Sequence, residues 1–338
     1  MDLEKYWRVL ATEPEAFVFL SHWDFYDNGW FSLYDGDYAM LYDECGNLFQ
    51  SASFKSILTL TDGSVALCKE HRDGCQWSVY TKQKEKTASL DSDDIRIFSN
   101  GLALKETAQD ETFIFHYKNA EQKVSLGFKV WNVVNGPDNL FAYEQGLKHN
   151  LSLWYICKFE DGKVIRLFEP FHAEKLFFFD NGSYAVHYKG IVRVYNRFNQ
   201  QIFACNEKKT TFVKVGDTYF LAYNGMRYKG VYSAENGKLV LAVSTVDYLF
   251  ANGTVYDQKN RLSLSLGNGE RFHFFDIYDF QPFGKSGAFF MYQDYPFVID
   301  TDLPLQELRQ KAVSELQRAS EHDLAYARYL TQLILLLC

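Results

Sequence analysis

Apolar and polar positions alternate in short runs through most of this chain, and Asn-Gly and Asp-Gly pairs punctuate the runs. The segment that starts at Lys175 is the cleanest: KLFFF, then NG, SYAVHY, KG, IVRVYN, RFN and QQIFACN. Period-two alternation between turn residues that accept positive φ predicts four antiparallel strands joined by tight turns. Segments from Phe25 and Ile97 read in the same order. Turn markers stand at Asn28-Gly29, Asp62-Gly63, Asn100-Gly101, Asn135-Gly136, Asn181-Gly182, Gly216-Asp217, Asn252-Gly253 and Ser286-Gly287. Their spacing is about 35 residues, with one interval of about 46. A second marker follows each turn, as at Tyr42-Asp43, Tyr195-Asn196, Tyr256-Asp257 and Ile299-Asp300.

A small sheet repeated at this period cannot bury its own faces and must stack on its neighbours. The expected fold is all-β: a β-propeller of seven or eight four-stranded blades of about 35 residues, with a C-terminal α-helical hairpin. An open stack of β-meanders is the main rival. Three units depart from the pattern. The fourth carries an insertion around Tyr143 to His149, and the seventh has a shortened hairpin at Asn252 to Tyr256. The eighth lacks a clear last strand, which AFVFLSH ahead of the first unit would supply, closing the ring from both termini.

Beyond Leu303 the period changes to that of a helix. Leu305, Leu308, Ala312, Leu316 and Ala319 share one face, and Leu324, Ala327, Leu330, Leu333, Ile334 and Leu337 another. Ser320 and Asp323 form a capping-box-like start to the second helix. The closing LILLLC reads either as core or as a partner contact. Leu3 to Leu10 is also helical, with Trp7 and Leu10 on the apolar side. The expected division is therefore 1–24 as a helical segment with the ring-closing strand, 25–301 as the repeat domain, and 302–338 as the helical hairpin.

Composition sharpens this. With 30 Phe and 23 Tyr the chain is 17% aromatic, which suits pleated surfaces, and 6 prolines argue against long linkers. A net charge of −8 disfavours nucleic acid as a ligand. Lys82, Lys84, Lys86, Lys208 and Lys209 read as solvated edges. The opening residues do not read as a signal peptide and no apolar run would span a bilayer, so no membrane association is expected. Six scattered cysteines without a CxxC pair read as thiols of a reducing compartment, which points to the cytoplasm. The sequons at Asn150, Asn181 and Asn252 are then incidental.

Chemistry-bearing motifs are sparse. No P-loop, HExxH, GxSxG or paired-cysteine zinc pattern occurs. Gly267-Asn268-Gly269 reads as a hairpin turn, and Asp91-Ser92-Asp93-Asp94 as a solvated loop. The eight histidines lack metal-ligand spacing, so neither metal nor cofactor is expected. Asp35, Asp37, Asp43, Asp257 and Asp300 are the residues that could face a central funnel as a glycosidase pair; the competing reading is that they cap turns.

The half-units Phe98-Ser99-Asn100-Gly101-Leu102-Ala103-Leu104 and Phe179-Asp180-Asn181-Gly182-Ser183-Tyr184-Ala185-Val186, with the endings Tyr42-Asp43-Glu44-Cys45-Gly46 and Val298-Ile299-Asp300, resemble bacterial WG-type and related propeller-like repeats. The resemblance covers about Phe25 to Thr301 and lies in architecture, since the Trp-Gly pair itself is absent. It implies no catalytic residues. The reading favoured is a non-enzymatic protein-binding module, and for an acidic bacterial protein the specific expectation is an immunity protein that neutralises a basic toxin domain. Tyr143, Glu144, His149, Trp154 and Tyr155, at the insertion, are the expected binding residues. The alternatives are a carbohydrate-binding or glycoside-hydrolysing propeller, and a scaffold subunit that docks through its terminal helices.

Overall fold

The computed structural model describes residues 1–12, 22–35, 38–43, 45–71, 74–91, 95–107, 109–146, 152–259, 263–265, 273–319 and 323–338. The architecture is a β-propeller. Among the described residues it has seven four-stranded antiparallel blades and an eighth sheet of three strands, and within every sheet the strands lie in chain order. The sheets span residues 22–53, 56–91, 95–125, 130–166, 175–206, 211–241, 248–274 and 278–300. Of the proposed ring-closing segment, His22 opens the first strand (His22–Phe25), and the residues before it lie outside those described.

The repeating Asn-Gly and Asp-Gly turns have one geometry. Asn28, Asp62, Asn100, Asn181 and Asn252 each accept, through Oδ1, the backbone N–H two residues on, at 2.9–3.2 Å. The glycine between takes φ of 81° to 87°, a region closed to most side chains. These turns also tie one sheet to the next. Asn100 Nδ2 donates to Gly136 O at 3.0 Å and Leu140 O at 2.9 Å, and Thr61 N donates to Ser99 O at 2.7 Å. In the eighth sheet the turn falls earlier than expected, with Gly284 at φ 55° and Gly287 already in a strand.

By contacts the chain forms two compact units: Met1–Phe54 with Val246–Cys338, and Lys55–Thr245. In the second unit, successive sheets share aromatic cores. Phe203, Phe212, Phe220 and Tyr232 lie between the fifth and sixth sheets with ring centroids 4.9–6.4 Å apart. In the first unit one core joins the first, seventh and eighth sheets to three helices: α1 (Leu3–Thr12), α2 (Leu305–Arg318) and α3 (Leu324–Leu336). The first and last sheets meet there through Gln281. Its Nε2 donates to Trp23 O at 2.6 Å, and its Oε1 accepts from Phe25 N at 3.2 Å.

The three-stranded sheet ends at Tyr295–Asp300, and α1 lies on that strand's outer edge. Trp7 Nε1 donates to Val298 O at 3.0 Å, and the N-terminal ammonium reaches Asp300 at 3.2 Å. A covered edge is protected from pairing with another chain. The terminal run LILLLC divides between core and surface: Leu333 and Leu337 are buried, whereas Leu335 is 63% exposed. Asp323 stands at the N-cap of α3 without a capping bond; its carboxylate takes Arg8 Nη1 at 3.3 Å. Ser320 lies outside the described residues.

Candidate functional site

A strand meander places its first and third turns at one end of the sheet and the second at the other. In the second unit the Asn-Gly turns and the third turns therefore gather at a common end. There the turns of the second, third and fourth sheets enclose a groove with two lobes. The larger, of about 540 Å³, runs from His116, Asn119 and Gln122 to Asp138, Asn139, Lys158 and the Glu160–Gly162 turn. The smaller, of about 330 Å³, continues from His116 and Asp138 past Gly101 to Asp62 and Lys118.

Its electrostatics follow from local pairing. Lys118 Nζ lies 2.7 Å from Asp62 Oδ2, and the buried Tyr117 hydroxyl donates to the same carboxylate oxygen at 2.9 Å. Burial alone would raise the carboxyl. The Lys118 ammonium, the Ser64 N–H and the Tyr117 hydroxyl outweigh it and hold Asp62 at about 2. The same pairing raises Lys118. His116 moves the other way, lowered by burial and then by the Lys118 charge. Its Nδ1 accepts from Lys118 N at 3.2 Å, which leaves the ring proton on Nε2, against Gly101. A Cβ at Gly101 would stand 2.7 Å from that nitrogen, so the glycine makes room for the imidazole.

Across the groove Lys158 Nζ pairs with Glu160 at 2.7 Å. Asp138 and Asp161 make no ion pair among the described residues. Both sit in the left-handed region, at φ 49° and 50°, in turns of the fourth sheet that line the larger lobe. With both lysines already paired, these two carboxylates carry the net negative charge.

The residues expected from sequence lie elsewhere. Tyr143 and Glu144 belong to the strand Leu140–Gly146, directly opposite Tyr155 and Trp154 on Ser152–Glu160. The rings of Tyr143 and Tyr155 stack at 4.9 Å inside the core between the third and fourth sheets. Trp154 is buried and donates from Nε1 to Ala173 O at 3.1 Å, and Glu144 accepts from Asn132 Nδ2. The described part of the insertion thus belongs to a hairpin of long strands, Leu140–Gly146 and Ser152–Glu160. His149 lies outside the described residues. Beside that hairpin, the β-bulge between Val130 and Asn132 lays the 53% exposed Trp131 across Gly146.

Three of the candidate acids are turn acceptors. Asp43 takes Cys45 N and Asn47 N at 2.8 and 2.9 Å, Asp257 takes Lys259 N at 3.0 Å, and Asp300 takes Asp302 N at 3.2 Å. All three are buried. Asp35 ends the strand Phe31–Asp35, while Asp37, Asp93 and the Gly267–Gly269 turn lie outside the described residues. Among the described residues no three His, Cys, Asp or Glu side chains gather as a metal site, and no helix is long and apolar enough to cross a membrane. The groove was not legible because its lining comes from turns that each look like ordinary punctuation. The one available signal was the Pro137-Asp138-Asn139 departure from the Asn-Gly pattern.

No family model matches the chain, and no curated protein matches it in sequence. Solved structures do match in fold. Dipeptidyl peptidase 4 of Porphyromonas gingivalis is 10% identical and superposes with a TM-score of 0.51, over 83% of this chain and 58% of that one. A eukaryotic initiation factor, 10% identical, gives 0.49 over 83% and 85%. The WD40 domain of SCAP from fission yeast, 8% identical, gives 0.41 over 83% and 91%. At these identities the likeness concerns the fold alone.

Proposed function

We propose that the chain is a non-enzymatic, protein-binding β-propeller whose partner is a basic protein, in the manner of a bacterial immunity protein that neutralises a cognate toxin domain in the cytoplasm. The kinship with bacterial WG-type repeats belongs to the same reading. One observation carries it: the groove over the second to fourth sheets, whose excess charge rests on Asp138 and Asp161 after its lysines are paired. Its walls are turns already fixed by their own hydrogen bonds, so little ordering cost accompanies association. A hydrogen-bond donor on neutral His116 and the amides of Asn119, Gln122 and Asn139 line the same lobe as the two carboxylates. Such a lining suits a lysine or arginine presented by a partner, with steering from the overall charge of −8.

The candidate acids are less suited to hydrolysis, since Asp43, Asp257 and Asp300 are buried and each spends one oxygen on backbone N–H groups. The reading is tested by calorimetric titration of the full chain with the product of the adjacent reading frame. Asp138→Asn and Asp161→Asn keep a residue type tolerant of positive φ and remove the charge. Together they are expected to weaken binding about 3- to 10-fold and to flatten its salt dependence. No binding by the unaltered chain, or binding indifferent to both substitutions and to salt, sinks the reading.

A further inference from the structure

Away from the groove, the second sheet holds a lysine ammonium against a thiol. Lys55 Nζ donates to Cys75 Sγ at 3.0 Å. The topology explains the meeting. Lys55 immediately precedes the first strand (Ser56–Thr59), and its backbone N–H donates to Cys68 O at 2.9 Å on the second strand (Val65–His71). Cys75 lies on the third strand (Gly74–Tyr80), paired with Glu70. The lysine side chain therefore reaches over the second strand to a neighbour that its own strand does not touch.

Cys68, buried on the second strand, adds a smaller influence on Lys55 than Cys75 does, and the remaining thiols have different surroundings. Cys157 and Cys205 are buried, and burial pushes them up to about 12 and about 11, which keeps them as inert thiols. Cys45 and Cys338 are exposed. Cys75 combines a small opening to solvent, 8%, with a cation in contact. The contact with Cys75 is also the largest influence raising Lys55. An adjacent ammonium stabilises a thiolate, the form that attacks oxidants.

We propose that Lys55 and Cys75 form an oxidant-responsive modification site, in which a peroxide oxidises the thiol and the lysine amine captures the product as a sulfur–nitrogen cross-link. The Cys75 thiolate attacks one peroxide oxygen; an S–O bond forms, the O–O bond breaks, and the second oxygen leaves as hydroxide, which takes up the proton the thiol gave to solvent and becomes water. Sulfur loses two electrons and the peroxide gains them, giving a sulfenic acid. Lys55 Nζ, after giving one proton to solvent, attacks that sulfur as a neutral amine; the S–N bond forms, the S–O bond breaks, and the hydroxyl leaves as a second water with a further proton from the same nitrogen. The second step involves no net redox change. Two equivalents of a thiol reductant restore the lysine and the cysteine and are themselves joined as a disulfide. The link closes a 20-residue separation and clips the first strand of the sheet to the third.

The test treats the full chain with hydrogen peroxide at neutral pH and maps proteolytic peptides by mass before and after dithiothreitol. The expected result is a peptide pair joined through Lys55 and Cys75, lighter by two hydrogens than its parts and separated by the reductant. Lys55→Arg, at an exposed position, keeps the fold by circular dichroism and abolishes the pair, and dimedone then labels Cys75 as sulfenic acid. Cys75→Ser abolishes both products. The proposal is overturned if dimedone labels Cys75 equally in the unaltered and Lys55→Arg chains with the Lys55 peptide unlinked. It is equally overturned if Cys75 stays reduced while Cys45 and Cys338 are oxidised.

Discussion

Asp62 shows how much one turn residue does here. Its Oδ1 holds the turn through Ser64 N at 3.0 Å, and its Oδ2 takes Lys118 and Tyr117 at the edge of the groove. Because the carboxyl is held at about 2 in the folded chain, below its ordinary value of 3.8, the unfolded chain binds the proton first as pH falls. The stabilisation is therefore full above about pH 4 and drains away between about pH 4 and pH 2. Asp62→Asn keeps the Oδ1 acceptor and removes the charge. At pH 7 it is expected to cost less than about 1 kcal/mol, since the pair with Lys118 is partly solvated. Urea titrations across this range should show the unaltered chain converging on the variant as pH approaches 2; a gap that does not narrow would contradict the linkage. The turn itself was legible in Asp62-Gly63. Its partners were not, because Tyr117 and Lys118 belong to the next repeat and no local rule connects them.

At the scale of elements, strands and helices obey different kinds of evidence. The strands of the fifth sheet follow from alternation and turn chemistry, and they fall where KLFFF, SYAVHY, IVRVYN and QQIFACN put them. Helix α1 was legible as amphipathic, with Trp7 and Leu10 on its buried side. Its task was not, because the strand edge it covers lies 291 residues away at Val298. Trp7 is 1% exposed and supplies both apolar area and a donor to that edge. Trp7→Phe keeps most of the area and leaves the Val298 carbonyl without this donor, an expected loss of about 1–3 kcal/mol. Hydrogen exchange should report it as faster opening of Tyr295–Asp300 rather than of the sheets of the second unit. Equal loss of protection in both units would mean that α1 does more than cover one edge. The hairpin around Tyr143 teaches the converse lesson. Aromatic residues beside an insertion read as a binding loop, yet Tyr143, Trp154 and Tyr155 face the sheet cores, where 17% aromatic content has to be accommodated.

At the scale of the molecule, a stack of repeats must deal with its first and last members, whose outer faces have no neighbour of their own. The repeat was visible in sequence, but its period alone leaves a ring and an open stack equally allowed. What decides is the junction of the first and eighth sheets inside the first unit, where Gln281 bonds both Trp23 O and Phe25 N. Around it Trp23, Phe25, Phe283 and Phe289 pack with centroids 4.5–6.4 Å apart. The aromatic rings supply area without direction, whereas the amide fixes the register of one sheet against the other. Gln281→Met conserves volume and apolar contact and removes both bonds, leaving a carbonyl and an N–H without their partner. The expected cost is about 2 kcal/mol, two lost bonds at about 1 kcal/mol each. Because the rings remain, the junction should stay closed but loosen, with faster exchange at Phe25 N–H and a lower unfolding midpoint. A variant that unfolds at the same denaturant concentration as the unaltered chain would show that the aromatic cluster alone holds the ends together, and that the glutamine only occupies space between them.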